Sequence, residues 1–168
     1  MDQPTSYDDD VYAWAYAQSA LLRGLATSRR DLPNTLDIEH LCEEIEGVAR
    51  DDLRETESFM RLVLIHLLKI ASAPHAPSLE HWKDEVAVFQ SDFTTMITPT
   101  ILRKIDAEKV WRLAVRSART QLARKGDLIL PDLPNVSPFS PAELAGETFD
   151  IDVVTDRLRT AVLPQAPT

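Results

Sequence analysis

The sequence predicts an all-α fold: a helical bundle with one very long central helix and a proline-rich C-terminal tail packed on it. Three observations predict it. From Asp37 to Ala71, apolar side chains recur at alternating steps of three and four, which is the helical period, and no proline interrupts them. The chain has only four glycines, so few positions favour tight turns. Most of its eleven prolines lie near the ends or between periodic segments, where they make stiff connectors.

The first helix is expected from about Asp8 to Leu25, with Val11, Trp14, Ala15, Gln18, Leu21, Leu22 and Leu25 on one face. Asp8, Asp9 and Asp10 fall in its first turn, where carboxylates suit the positive end of the helix dipole. A connector over Ala26–Thr35 follows. Asp37 is the expected N-cap of the second helix, whose length corresponds to about 50 Å of rise. Its core-facing positions include Ile38, Leu41, Ile45, Val48, Ala49, Leu53, Thr56, Phe59, Met60, Val63, Leu64, Leu67 and Ile70. A helix of that length needs partners along both halves.

Pro74 and Pro77 end it, and Ser78 is the expected cap of a third helix to about Ile97 with Trp82, Val86, Phe89, Phe93 and Met96 on its face. Thr98-Pro99 reads as cap and first position of a short turn. Asp106 caps a fourth long helix, with face Trp111, Ala114, Val115, Ala118 and Leu122, and Gly126 is its C-terminal stop. Leu128–Pro134 should lie extended on the bundle. Ser140-Pro-Ala-Glu143 is a capping-box signature for a short helix. Asp152–Leu163 reads as a last helix through Val153, Val154, Leu158 and Val162, with a frayed end at Pro164–Thr168. Residues 1–149 are read as one helical-bundle domain and 150–168 as an extension.

A chain of 168 residues can bury a core without metal or disulfide staples. Cys42 is the lone cysteine, which excludes an intrachain disulfide. No apolar run approaches the ~20 residues of a membrane span, and residues 1–10 lack the basic and apolar regions of a signal peptide. The expected location is therefore cytoplasmic, with no membrane. The net charge of −9 is unevenly spread. Residues 1–60 carry −9, 61–98 carry −1, 99–125 carry +6 and 126–168 carry −5.

Four blocks, in order, resemble one family: Tyr7-Asp-Asp-Asp-Val-Tyr-Ala-Trp14, Leu36-Asp-Ile-Glu-His-Leu-Cys-Glu-Glu-Ile-Glu46, His66-Leu-Leu-Lys69 and the isolated Trp82. Across roughly residues 6–149 the chain is similar to the bacterial "domain of unknown function 29" family. The sequence departs from that pattern at Ala49, where glycine is expected, in the Pro74–Trp82 connector, which lacks an arginine, and at Ser137, where a cysteine is expected. The resemblance implies an all-α bundle and brings no established activity, cofactor or catalytic residue.

The residues themselves offer three candidate constellations. Glu39, Glu43, Glu46 and Arg50 share one stripe of the second helix, with His40 close by. Such carboxylates can ligate a metal when several helices contribute. Only one helix offers them here, and a solvated face with a Glu46–Arg50 ion pair is the plain alternative. His66 should be largely buried and hydrogen-bonded to a carbonyl or carboxylate, or else act as a general base. Together with Trp82, Glu43 and Glu46 it makes the candidate functional set, and His75 and His81 flank the connector nearby in sequence. Lys109, Arg112, Arg116 and Arg119 form a basic stripe on the fourth long helix, a candidate polyanion or partner contact. Nucleic acid is disfavoured because the protein is acidic overall. Pairing with acids of the first two helices, or across a subunit contact, is the expected use.

Two classes of function remain. One is a non-enzymatic interaction module that binds a second copy or a protein partner. The other is a metal- or acid/base-dependent enzyme using His66 and second-helix carboxylates.

Overall fold

Capping side chains set where the helices start in the computed structural model, which describes residues 6–161. Asp10 accepts from Ala13 N–H at 2.9 Å, Asp37 from His40 N–H at 3.2 Å, and Asp106 from Lys109 N–H at 3.0 Å. Thr98 and Ser140 do the same for Ile101 and Glu143. Each bond satisfies one of the four N–H groups that a helix leaves unpaired at its start. Seven helices result among the described residues: α1 Val11–Ser28, α2 Ile38–Ser72, α3 Leu79–Met96, α4 Pro99–Lys104, α5 Ala107–Ala123, α6 Pro141–Leu144 and α7 Ile151–Ala161. No strand occurs among the described residues. α2 is the expected long central helix, 35 residues without a break.

The first helix begins at Val11 rather than Asp8, because Asp10 acts as its cap and leaves Asp8 and Asp9 in the turn before it. Ser78 holds the cap position of α3 without making a side-chain cap bond. Gly126 does stop α5, at φ +84°, a conformation that L side chains rarely adopt. Asp127 N–H then reaches back to Leu122 O at 3.0 Å.

The chain divides into two compact units, residues 1–55 with 98–104, and residues 56–97 with 105–168. The second unit has a continuous core. Around it, α2 is buried at every position from Val63 to Ala71, as expected of a helix enclosed by neighbours. Trp82, Val86 and Phe93 of α3 join it, with Trp111, Ala114, Ala118 and Leu122 of α5 and Val154 and Leu158 of α7. Ile129, Leu130 and Leu133 lie against this core, and Trp111 Nε1–H donates to Pro134 O at 2.8 Å. Arg159 of α7 donates to Ile70 O and Ala71 O at 3.1 and 3.2 Å, which satisfies two of the carbonyls left open at the end of α2. On α7, Val153 is exposed rather than core-facing. Val162, Leu163 and the expected frayed end lie outside the described residues.

The first unit is built differently. Its buried side chains are Asp10, Ala15, Ser19, Ile38, Cys42, Ala49 and Ile101. Ser19 Oγ donates to Cys42 O at 3.2 Å, and Cys42 Sγ to Ser19 O at 3.5 Å, so small side chains bring the two helix backbones close. Arg23 pairs with Glu39 at 3.3 Å and with Glu46 at 2.5 Å. Between Ser19–Cys42 and Arg23–Glu39, residue numbers rise on one helix as they fall on the other, so α1 and the start of α2 form an antiparallel hairpin. This overturns the expected facing of Leu21, Leu25, Leu41 and Val48. These bulky residues are exposed, and Cys42 and Ala49 take the contact instead. Close approach of the helices selects the small residues.

Candidate functional site

In the second unit, α2 and α3 bring His66, Lys69, Trp82 and Glu85 together. His66 lies within the continuously buried part of α2 and is 7% exposed. Its Nδ1 stands 2.9 Å from Leu62 O, one turn back, an acceptor that requires the proton on Nδ1. Its Nε2 stands 2.9 Å from Glu85 Oε2 on α3. That contact also requires a proton between the two atoms. His81, four residues before Glu85, puts its Nε2 3.5 Å from the same oxygen. Phe89 packs against the imidazole, with ring centroids 5.4 Å apart. Burial pushes the His66 pKa below its ordinary value, and the Lys69 charge adds to this, while the Leu62 carbonyl and Glu85 oppose it.

Lys69 follows His66 by three residues and is 6% exposed. Its Nζ sits 4.6 Å from the centre of the buried Trp82 ring, and Lys125 Nζ sits 5.1 Å from the same centre. Indole faces attract cations. Burial nevertheless lowers the Lys69 pKa, Glu85 opposes that, and the Lys125 charge reinforces it. A groove of about 660 Å³ opens beside this cluster. Trp82 and Lys125 line it with Asp127, His75, Ser72, Ser78 and the prolines Pro74 and Pro77.

Of the candidates read from sequence, His66 and Trp82 meet in this region, and His81 and His75 border it. The carboxylate at His66 is Glu85 of α3, not one from the second helix. Glu43 is exposed. Glu46 is committed to the first unit's hairpin, where the Arg23 guanidinium holds its carboxyl below the usual carboxylate range. Its expected partner Arg50 is 3.9 Å away, a looser contact than Arg23. Among the described residues, no three His, Cys, Asp or Glu side chains form a group that could hold a metal ion.

The basic stripe is neutralised within the fold at Lys109, which pairs with Glu57 of α2 at 3.2 Å. Arg112, Arg116 and Arg119 are exposed. Contrary to the expected internal pairing, none of these three makes an ion pair with a described residue, because they project from the solvent side of α5. Arg112 and Arg119 border a groove of about 440 Å³ against Ile129–Asn135.

Sequence reading did not single out Lys69, Glu85 or Lys125. A lysine inside the apolar run Val63–Ala71 was the available signal for the first, and the His81-x-x-x-Glu85 spacing for the second. Lys125 gives no signal in sequence, because only the end of α5 places it over Trp82.

The described helices include none long and apolar enough to cross a membrane. No curated protein matches the chain. A crystal structure of an alpha-helical protein of unknown function from Rhodospirillum rubrum is similar at 35% identity and a TM-score of 0.86. The match covers 93% of this chain and 99% of that one. The family described as "Domain of unknown function DUF29" matches residues 6–150, and the chain belongs to that family.

Proposed function

We propose that this protein is an interaction module that binds a second copy of itself through the α1–α2 hairpin of its first unit. The observation that carries the reading is the open apolar row on that hairpin. Leu21 is 67% exposed, Leu41 44% and Val48 45%, with Leu25 beside them.

On α1 this row lies roughly 100° back from the packed row of Ala15 and Ser19, at ~100° per residue. On α2, Leu41 and Val48 lie back from Cys42 and Ala49 by about the same rotation. Because the helices are antiparallel, equal rotations in that sense bring both rows to the same side of the hairpin. The result is one two-helix apolar face, not two scattered residues.

A second copy is the occupant that fits. Leu21 and Leu25, like Leu41, Ile45 and Val48, are separated by the threes and fours of helix packing. A two-fold axis through the face would lay one hairpin on another as a four-helix bundle. The unit's own core also calls for it, since among the described residues its bulky buried apolar side chains are Ile38 and Ile101. Fully covering one Leu or Val stabilises by about 1.5–3 kcal/mol.

Light scattering on the purified protein tests this. The expected mass is twice 18.9 kDa, falling to the monomer value in Leu21→Glu/Val48→Glu with helicity retained. A wild-type monomer would refute it.

A further inference from the structure

We propose that the groove between α5 and residues 129–135 docks a short acidic segment of a partner protein, whose carboxylates pair with Arg112 and Arg119. The proposal does not depend on self-association.

The unpaired guanidiniums are the carrying observation. Arg112, Arg116 and Arg119 stand on one exposed stripe of α5, inside a segment of charge +6 in a chain of net charge −9. Lys109, on the same stripe, takes Glu57 at 3.2 Å. None of the three guanidiniums makes a hydrogen bond or ion pair with a described residue. Like charges one turn apart on a helix repel, and opposite charge brought from outside relieves that repulsion. Arg112 and Arg119 both line the groove. They lie two turns apart on one face, about 10.5 Å at ~1.5 Å per residue. A guanidinium can take a carboxylate through two parallel hydrogen bonds.

The rest of the lining favours a peptide. Val115, Ile129 and Leu133 are partly buried apolar side chains, and they suit an apolar side chain carried between two acids. Asp132 also lines the groove and makes no ion pair with either arginine, so its carboxylate can accept a peptide N–H. The same carboxylate repels a phosphate backbone, as does the net charge of −9, which disfavours nucleic acid. The groove's wall is fixed in advance. Leu130 N–H donates to Ser72 Oγ at 3.0 Å, Trp111 Nε1–H to Pro134 O at 2.8 Å, and Ser137 N–H to Glu108 Oε2 at 3.2 Å. A preformed wall lowers the ordering cost of binding. With a volume of about 440 Å³ the groove holds a few residues, not a folded domain. A polyproline II segment turns once in three residues and rises ~3.1 Å at each, so acids three residues apart share one face at about 9 Å. That is close to the separation of the two arginines.

The test is fluorescence anisotropy of a fluorescein-labelled peptide, Ser-Glu-Leu-Pro-Glu-Ser, titrated with the full-length protein at constant low salt. Two further probes carry the same label: the peptide with both glutamates replaced by glutamine, and a mixed-sequence single-stranded oligonucleotide. The expected result is saturable binding of the acidic peptide, weakened about tenfold or more in the glutamine peptide and in Arg112→Gln/Arg119→Gln. Both arginines are exposed, so circular dichroism of that variant should match the wild type. Arg124→Gln, exposed on the same helix turn region but outside the groove lining, should bind as the wild type does. No saturable binding, equal affinity for the glutamine peptide, undiminished binding in Arg112→Gln/Arg119→Gln, or tighter binding of the oligonucleotide would overturn the proposal.

Discussion

His66 Nε2 and Glu85 Oε2 stand 2.9 Å apart and join the buried half of α2 to α3. The other ring nitrogen is fixed on Leu62 O, so the imidazole has little freedom to turn. Burial holds its pKa below the ordinary 6.5. The unfolded chain therefore takes up a proton at this position at a higher pH than the folded chain does. The associated stability is present above pH 6.5 and is lost as pH falls through the lower folded value.

Stability measured by urea unfolding should therefore decline on acidification from pH 7, and His66→Gln should show a flatter profile over the same window. His40 acts in the opposite sense, because its bond to Asp37 raises its pKa. It is present in both proteins, so the difference between them isolates His66. Equal slopes would show that burial does not lower the His66 pKa in the folded protein.

Cys42 is buried against Ser19, with backbone and side-chain atoms in mutual hydrogen-bond contact. Its side chain is fully buried. Cys42→Leu should destabilise the hairpin by about 1–3 kcal/mol, the usual cost of overpacking, whereas Glu44→Gln, exposed on the same helix and outside the apolar row, should not disturb that contact. Hydrogen exchange of α1 amides distinguishes the two. Protection of α1 unaltered in Cys42→Leu would show that the helices are not closely packed there.

Arg159 supplies hydrogen bonds to Ile70 O and Ala71 O, and Asp156 holds its guanidinium at 2.7 Å. Arg159→Met keeps most of the aliphatic stem and removes those donors. It should cost about 2 kcal/mol, the range for hydrogen bonds from a charged group, and should speed exchange in the last turn of α2. A loss no greater than that of Arg124→Met on the exposed end of α5 would count against this capping role.

The helix ends were legible in the sequence because they rest on short-range chemistry. Asp37, Asp106, Ser140 and Gly126 act on residues within one turn of themselves, while Asp10, read as part of the first turn, proved to be the cap of α1. The second unit's core was also legible, since Trp82, Val86, Phe93, Trp111 and Leu122 repeat at the helical period and bury where that period points. The facing of the hairpin was not. Apolar bulk at Leu41 and Val48 points to one rotation of α2, while the contact is set by small residues that carry almost no hydrophobic signal. The site was half visible. His66 and Trp82 are conspicuous residue types, but Glu85 gains meaning only when α3 lies beside α2. Lys69 inside an apolar run reads equally well as a stem that carries its charge out to water.

Self-association through the Leu21–Val48 face is the central claim, and the concentration dependence of unfolding tests it most directly. If the hairpin completes its core with a second copy, folding and association are linked, and stability rises with protein concentration. Over a hundredfold range the gain should be about 2.7 kcal/mol, and Leu21→Glu/Val48→Glu should show none. A wild-type unfolding midpoint that does not move across that range would contradict the claim.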